Sequence, residues 1–302
     1  MPPVRQTQSY LRRLFAERGI APQRRLGQNF LIDLNIHDVI VEAAEVGPGD
    51  LILEVGPGTG ALTSLMASRG AAVVAVDLDP AMAKLAAEST AGLPNVRVLH
   101  RDALAGKHEI NAEVLDAVRS GLASDPARRF KLVANLPYNI ATPLISNLLV
   151  HPDLRPERMV VTIQRELADR LIARPSTGAY GSVSVLVQAL ASASIVRNLP
   201  PSVFWPRPKV DSAVVEIRPD AAFRERVGDV AWFHKVVRQV FQHRRKYIRH
   251  VLSGFGTGDW TRADVDVWLQ EHGLSGQLRA EEIDVEGYLR LAHALRERFP
   301  DA

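Results

Sequence analysis

The sequence predicts an α/β protein, a doubly wound, Rossmann-like parallel sheet followed by a smaller all-α carboxyl-terminal region. Three observations carry this. Apolar runs of strand length alternate with helical patterns between residues 51 and 164, the signature of parallel strands joined by crossover helices. The first run ends in the loop GPGTG (56–60), where glycines let the backbone turn tightly and approach a ligand at the start of a helix. From about residue 229 the strand pattern stops and helical periodicity takes over. At 302 residues the chain is long enough for two domains on a prior of roughly 100–200 residues each. The expected division is 1–222 and 223–302.

Taken in order, residues 34–46 read as a helix with Ile36, Val39, Ile40 and Ala43 on one face. LILEV (51–55) is a short buried strand, and an apolar helix follows the glycine loop near 61–69. AAVVAVD (71–77) is the next strand, and Pro80 opens an alanine-rich helix to about 89. NVRVLH (95–100), FKLVA (130–134) and RMVVTIQ (158–164) are three further strands. The long segment 103–130 is expected to hold an added helix with Ile110, Val114, Leu115, Val118 and Leu122 on its apolar face, on a decorated loop. By pattern alone, SVSVLVQAL, ending at residue 190, fits a strand or a helix. ASIVRNL (193–199) and SAVVEIR (212–218) are expected to be adjacent strands, antiparallel because the link is too short for a crossover helix. Residues 230–252, 260–272 and 280–298 read as helices.

Apolar residues at 46% and charged residues at 24% are a globular composition, not a disordered one. The chain has no cysteine, which removes disulfides and thiolate zinc sites and fits a reducing cytoplasm. Its nine histidines show no ligand spacing, so no metal is expected. No apolar run approaches the roughly 20 residues of a membrane span. The first residues lack the apolar core of a secretory signal, although their arginines leave an organelle transit peptide open. The expectation is a cytoplasmic monomer. Net charge is only +3, but it is segregated: residues 1–30 sum to +5 and 224–250 to +6, leaving −8 for the rest. Two basic segments in an otherwise acidic chain point to a polyanion, most often nucleic acid.

The loop Gly56-Pro-Gly58-Thr-Gly60 between strand and helix, with Asp77 ending the next strand, marks a nucleoside site. Asp77 can accept hydrogen bonds from ribose hydroxyls. Gly56, Gly58 and Ala61 also satisfy a relaxed dinucleotide fingerprint, so local sequence leaves a nicotinamide or flavin enzyme open beside an adenosyl methyl donor. Asp102, after the third strand, can serve an adenine amino group at the same crevice, or cap the next helix.

NLPY (135–138) ends a strand where α/β sheets bind ligands. The adenine amino group is a poor nucleophile because its lone pair is delocalised into the ring. Acceptors for both N–H groups localise that pair, and the Asn135 side-chain oxygen and the Leu136 carbonyl, aimed by the fixed φ of Pro137, can be those acceptors. Tyr138 offers a ring face for an unstacked base.

Six ordered segments, LGQNFL (26–31), EVGPGTGALT, NLPYNIATPL, GAYGSVSV, VFWPRPKVDSAVV (203–215) and FQHRRKYIR (241–249), resemble the small-subunit (16S) ribosomal RNA adenine dimethyltransferase family. That resemblance implies S-adenosyl-L-methionine as donor and two adjacent adenosines near the 3′ end of 16S rRNA, in the small ribosomal subunit or its precursor, as substrate. It implies donor contacts at Asn29, Leu31, Gly56, Asp77, Asp102 and Asn135, with Gly58 and Gly60 completing the loop, and target-base roles for Asn135, Leu136, Pro137 and Tyr138. Phe204 resembles the family's second stacking aromatic, and the segment ending at residue 190 becomes a helix. Arg244, Arg245 and Lys246, on a helix of the carboxyl-terminal domain, are expected to contact phosphates, with Lys209, Arg24 and Arg25 extending that surface. Asp77 stands where the family usually has glutamate, and Trp205 and Arg207 interrupt the proline-rich signature. A 23S rRNA adenine methyltransferase shares the donor chemistry, but NLPY, YGSVSV and the long carboxyl-terminal region favour the 16S branch. A non-enzymatic small-subunit assembly factor would have no need of the donor site.

Overall fold

The structure, a computed structural model, describes residues 6–255 and 260–300. It divides into two compact units, Met1–Ala168 with Ser194–Pro219, and Asp169–Ala193 with Asp220–Ala302. The second unit therefore takes in a segment well before residue 222.

The first unit is built on a seven-stranded sheet: β1 Asp50–Val55, β2 Ala72–Asp77, β3 Val96–His100, β4 Arg129–Asn135, β5 Arg158–Gln164, β6 Ala191–Leu199 and β7 Ser212–Pro219. Their spatial order is β3-β2-β1-β4-β5-β7-β6. The five strands from β3 to β5 are parallel, and β7 runs antiparallel to β5, Ser212 opposite Gln164 and Ile217 opposite Met159. This is the doubly wound sheet the alternating pattern predicts. Strand order reverses between β1 and β4, so the crevice at their carboxyl ends is where such sheets bind ligands. β1 and β5 are buried nearly throughout, as strands covered on both faces must be.

Helices α1 Gln8–Glu17, α2 Leu34–Ala43, α3 Ala61–Ser68, α4 Pro80–Ser89, α5 Ala112–Ala123 and α6 Ala141–Val150 belong to this unit. One core joins Ile36, Ile40 and Val41 of α2 to Leu62 and Met66 of α3 and Ile52 of β1. The buried face of α2 runs through Ile36, His37, Ile40 and Val41, with Val39 partly buried and Ala43 partly buried against the same core. In α4, Asp79 caps the helix by accepting from Ala81 N–H at 2.9 Å, and Pro80 fills the first turn. α5 is not a decoration. It packs on β1 and β2 and connects β3 to β4, so close that a Cβ on Gly121 would lie 2.8 Å from Leu51. The extra length of the segment goes instead into a small hairpin, Leu104–Gly106 with Glu109–Ile110, which takes Ile110 off the helix.

The second unit is helical: α8 Ser182–Leu190, α9 Ala221–Val227, α10 Val230–Phe241, α11 Ile248–Leu252, α12 Arg262–Glu271 and α13 Val285–Arg298, with α7 Arg165–Leu171 leading into it. The segment ending at residue 190 is thus helical, as the family resemblance implies. Trp232 Nε1–H donates to the Ala292 carbonyl at 2.8 Å, and the Tyr180 hydroxyl to that of Ile283 at 3.0 Å. The helix expected over 230–252 is broken. Residues 242–246 form turns, because Ile248 N–H donates to Leu278 and Arg249 N–H to Gly276, drawing this backbone onto the 276–279 segment. A tertiary partner for these donors overrides helical propensity.

Candidate active site

A single cleft at the carboxyl ends of the first unit's strands gathers most of the residues singled out by sequence. Asn29 and Leu31 line one wall, Gly56 and Gly58 the loop above β1, and Asp77 and Asp102 the ends of β2 and β3. Asn135, Leu136, Pro137 and Tyr138 close the β4 side.

The loop after β1 is glycine-rich for steric reasons. Gly56 sits at φ +77°, where a Cβ would come within 3.0 Å of the Pro137 ring, and Gly58 at φ +57°, where one would meet Phe30 at 2.9 Å. Gly60 does not line the cleft. It precedes α3 and packs against α4, a Cβ there falling 3.2 Å from Ala86 Cα.

Asp77 Oδ2 accepts from Gly58 N–H at 3.3 Å and Oδ1 from Asp79 N–H at 2.9 Å. Burial outweighs these bonds and lifts the carboxyl to about 6. Asp102 Oδ1 accepts from Leu104 N–H at 2.9 Å, so it shapes the turn into the hairpin rather than capping a helix, and Oδ2 is the oxygen it can offer a ligand. Asn135 lines the cleft, and its Nδ2 donates to the Asn29 carbonyl at 2.9 Å, which fixes the amide plane. Leu136 is buried and its N–H donates to Thr162 on β5 at 3.1 Å. The Tyr138 and Ser212 hydroxyls are hydrogen-bonded at 2.6 Å, and burial raises the phenol above its ordinary range.

Phe204 is not brought to the cleft. Its backbone pairs with Leu31 and its ring, 3% exposed, belongs to the apolar core with Leu199 and Val214. Phe30 stands at the cleft wall instead, packed edge-on against Phe15 at 5.3 Å. Of the expected phosphate contacts, Arg25 and Lys209 are exposed in the first unit, and the Arg24 side chain lies outside the described residues. In the second unit Arg245 and Lys246 are exposed on the turn. Arg244 is committed within the protein: it pairs with Glu281 at 2.5 Å and donates to the carbonyls of Thr177 and Gly178. These three partners take up Nε and Nη2 and make it a clamp within the second unit. Among the described residues no cluster of side chains could hold a metal.

Four participants escaped the sequence reading. Ser212 anchors Tyr138, and Gln6, buried, bonds Thr59 of the glycine loop. His37 and Glu54 line the cleft and are buried. A lone histidine in an apolar run carries no signal of its site, whereas Glu54 heads the EVGPGTGALT motif without a role of its own being read from it. Burial takes Glu54 up to about 8 against the pull of the Thr63 hydroxyl, which donates at 2.6 Å, so the group is protonated at neutral pH. The folded chain then holds a proton that the unfolded chain gives up between about pH 4.5 and 8, and stability falls as pH rises through that window. In Glu54→Gln, denaturant midpoints from pH 5 to 8 are expected to lose this slope, at most about 1.4 kcal/mol per pH unit. A slope equal to wild type would mean the carboxyl titrates normally.

The family model described as ribosomal RNA adenine dimethylase matches residues 21–297. Ribosomal RNA small subunit methyltransferase A of Moorella thermoacetica is 36% identical, with 94% of this chain and 96% of that protein aligned. The protein of the same name from Pelotomaculum thermopropionicum is 39% identical over 93% and 94%. Among solved structures, a dimethyladenosine transferase from Plasmodium falciparum superposes with a TM-score of 0.69 at 23% identity, covering 89% of this chain and 96% of that one. The 23S rRNA methyltransferase ErmE superposes at 0.59 with 26% identity over 88% and 99%.

Proposed function

The chain belongs to the ribosomal RNA adenine dimethylase family, and from that premise we propose that it transfers methyl groups from S-adenosyl-L-methionine to two adjacent adenosines near the 3′ end of 16S rRNA, giving N6,N6-dimethyladenosine. The substrate is the small ribosomal subunit or its precursor, and the enzyme works as a cytoplasmic monomer. Curated relatives aligned over nearly their whole length carry the small-subunit name, which favours this branch over the 23S one.

The observation that carries the reading is the Asn135 amide, held by the Asn29 carbonyl at the wall of the cleft over the switch point of the sheet. The cleft suits an adenosyl amino acid: a backbone cradle at positive φ that a Cβ would fill, with carboxylates at the ends of the next two strands. When bound, S-adenosyl-L-methionine supplies an electrophilic sulfonium methyl. Asn135 Oδ1 and the Leu136 carbonyl accept the two N–H bonds of the adenine amino group and localise its lone pair toward that methyl. The N–C bond forms as the S–C bond breaks, and the amino proton leaves to solvent. Tyr138, pinned by Ser212, presents a fixed face to the flipped base. The work of the protein is alignment, without a strong base.

The first unit is taken as the methyltransferase domain and the second as an RNA-docking domain. Reversing the exposed Arg245 and Lys246 to glutamate is expected to weaken RNA binding and to flatten log K against log salt by roughly 1.5, at about 0.7 per lost contact. An unchanged slope removes that turn from the interface.

The function is tested by labelled methyl transfer to undermethylated small subunits, with large subunits in parallel. Dimethyladenosine confined to 16S rRNA is expected. Label in 23S rRNA alone would move the enzyme to the other branch, and tight binding without transfer would leave an assembly factor.

A further inference from the structure

Two buried polar side chains on the cleft wall have no part in the chemistry above. Glu54 is 1% exposed on β1, and His37 is 6% exposed on α2. Successive side chains on a strand alternate between faces, so Glu54 points the same way as Ile52. That face is the one covered by α2 and α3: Ile52 shares a core with Ile36 and Ile40 of α2 and with Leu62 and Met66 of α3. The Thr63 hydroxyl of α3 reaching Glu54 at 2.6 Å agrees. His37 lies beside Ile36 on the buried face of α2. Topology therefore brings the two side chains to the same part of the cleft, beneath the glycine loop.

The His37 ring takes part in no hydrogen bond among the described residues; only the more distant charges of Asp38 and Asp33 act on it. Burial outweighs those charges and holds the imidazole neutral, at about 4. Its nitrogens are not among the enclosed, unpartnered side-chain atoms of the described residues, so the ring, which lines the cleft, keeps an open edge there and its partner is best sought in what the cleft binds.

The layout of the cleft says which end of the donor that is. The adenosyl end has its carboxylates at the ends of β2 and β3, Asp77 and Asp102. The reactive methyl has to reach Asn135 at the end of β4. β1 lies between them in the sheet, and the wall beneath its loop is left for the amino-acid end, a zwitterion that requires one acceptor and one donor. We propose that His37 is a further cofactor-binding residue, its imidazole N–H donating to the α-carboxylate of S-adenosyl-L-methionine while a Glu54 carboxyl oxygen accepts from the α-ammonium, whose arrival releases the proton that burial holds on Glu54. This rests on the methyl-donor reading given above.

Two ligands that share the adenosyl thioether and differ in the amino acid separate this role from a structural one. S-adenosylhomocysteine carries the zwitterion and 5′-methylthioadenosine lacks it. By calorimetry on the full chain, His37→Leu is expected to weaken S-adenosylhomocysteine about tenfold or more and to leave methylthioadenosine unchanged, with His37→Gln, which keeps an N–H donor, recovering part of the loss. Glu54→Gln is expected to show the same ligand selectivity. If the leucine variant fails to fold, His37→Gln against His37→Met gives the same comparison, the loss being larger for methionine. Equal loss of both ligands, or no loss of either, would overturn the role of His37 and leave the methyl-donor reading intact. Wild-type protein that binds neither ligand would overturn both.

Discussion

Asn135→Ala is expected to slow single-turnover methyl transfer by roughly 100- to 1000-fold, the usual effect of deleting one preorganised hydrogen-bonding group at a reacting centre. The side chain does two things at once. Its Nδ2–H is spent on the Asn29 carbonyl at 2.9 Å, and that bond is what presents Oδ1 to the substrate amine. Alanine removes the acceptor and also frees the Asn29 segment, so some loss of S-adenosylhomocysteine affinity accompanies the loss of rate. The rate should fall much further than either affinity, because the second unit and the exposed cations of the first are untouched. Asn135→Asp is the sharper control. It keeps two acceptor oxygens but cannot donate to Asn29, and a carboxylate facing a carbonyl will turn away or protonate. If aspartate restores the rate, acceptance alone suffices and the bond to Asn29 is incidental. If rate and RNA affinity fall together in alanine, Asn135 is a binding residue and the acceptor role is lost.

What could be read in the chain before its structure follows from which interactions are local. Parallel strands buried on both faces give apolar runs such as LILEV and RMVVTIQ, and the loop glycines announce their own positive φ. The seven-stranded sheet and the cleft at its switch point were therefore legible, along with the Asn135–Tyr138 turn. Residues whose partners lie far along the chain are not legible in this way. Phe204 belongs to a segment that resembles a base-stacking signature, yet its ring is in the core because its backbone pairs with Leu31. Arg244 sits in a run of cations, but its guanidinium is taken by Glu281 and the 177–178 carbonyls. The break in the predicted 230–252 helix is imposed by residues 276–279, far along the chain. His37 was invisible for the opposite reason: one histidine in NIHDVIV reads as core, and only the cleft beside it gives the ring a use.

The largest effect on stability is expected at the opposite end of the sheet. Lys131, 1% exposed near the start of β4, places Nζ 2.9 Å from Asp50 Oδ2, with the carbonyls of Ala44 and Glu45 at 3.0 and 2.9 Å. One ammonium thus satisfies three acceptors, spanning β1 and the turn after α2. Arg129 Nη2 lies 2.9 Å from the other Asp50 oxygen, but from a half-exposed position. Lys131→Met keeps the length and apolar stem of the side chain while withdrawing the charge. Asp50, fully buried, is then left with Arg129 and the Gly47 N–H, and two carbonyls lose their donor. Breaking one side of such a pair costs about 3–5 kcal/mol, to be read as a lower denaturant midpoint with little change in slope. Adding Asp50→Asn should recover part of that loss, because the uncompensated charge goes with it. The active-site cleft is at the carboxyl ends of the strands and these residues are at the amino ends of β1 and β4, so the transfer rate per folded molecule should hold. A Lys131→Met protein as stable as wild type would show that Arg129 and water already meet the needs of Asp50. A folded variant with a lower transfer rate would show that the base of the sheet sets the geometry of Asn135, the five residues from Lys131 to Asn135 along β4 being a stiff enough lever to carry the error across.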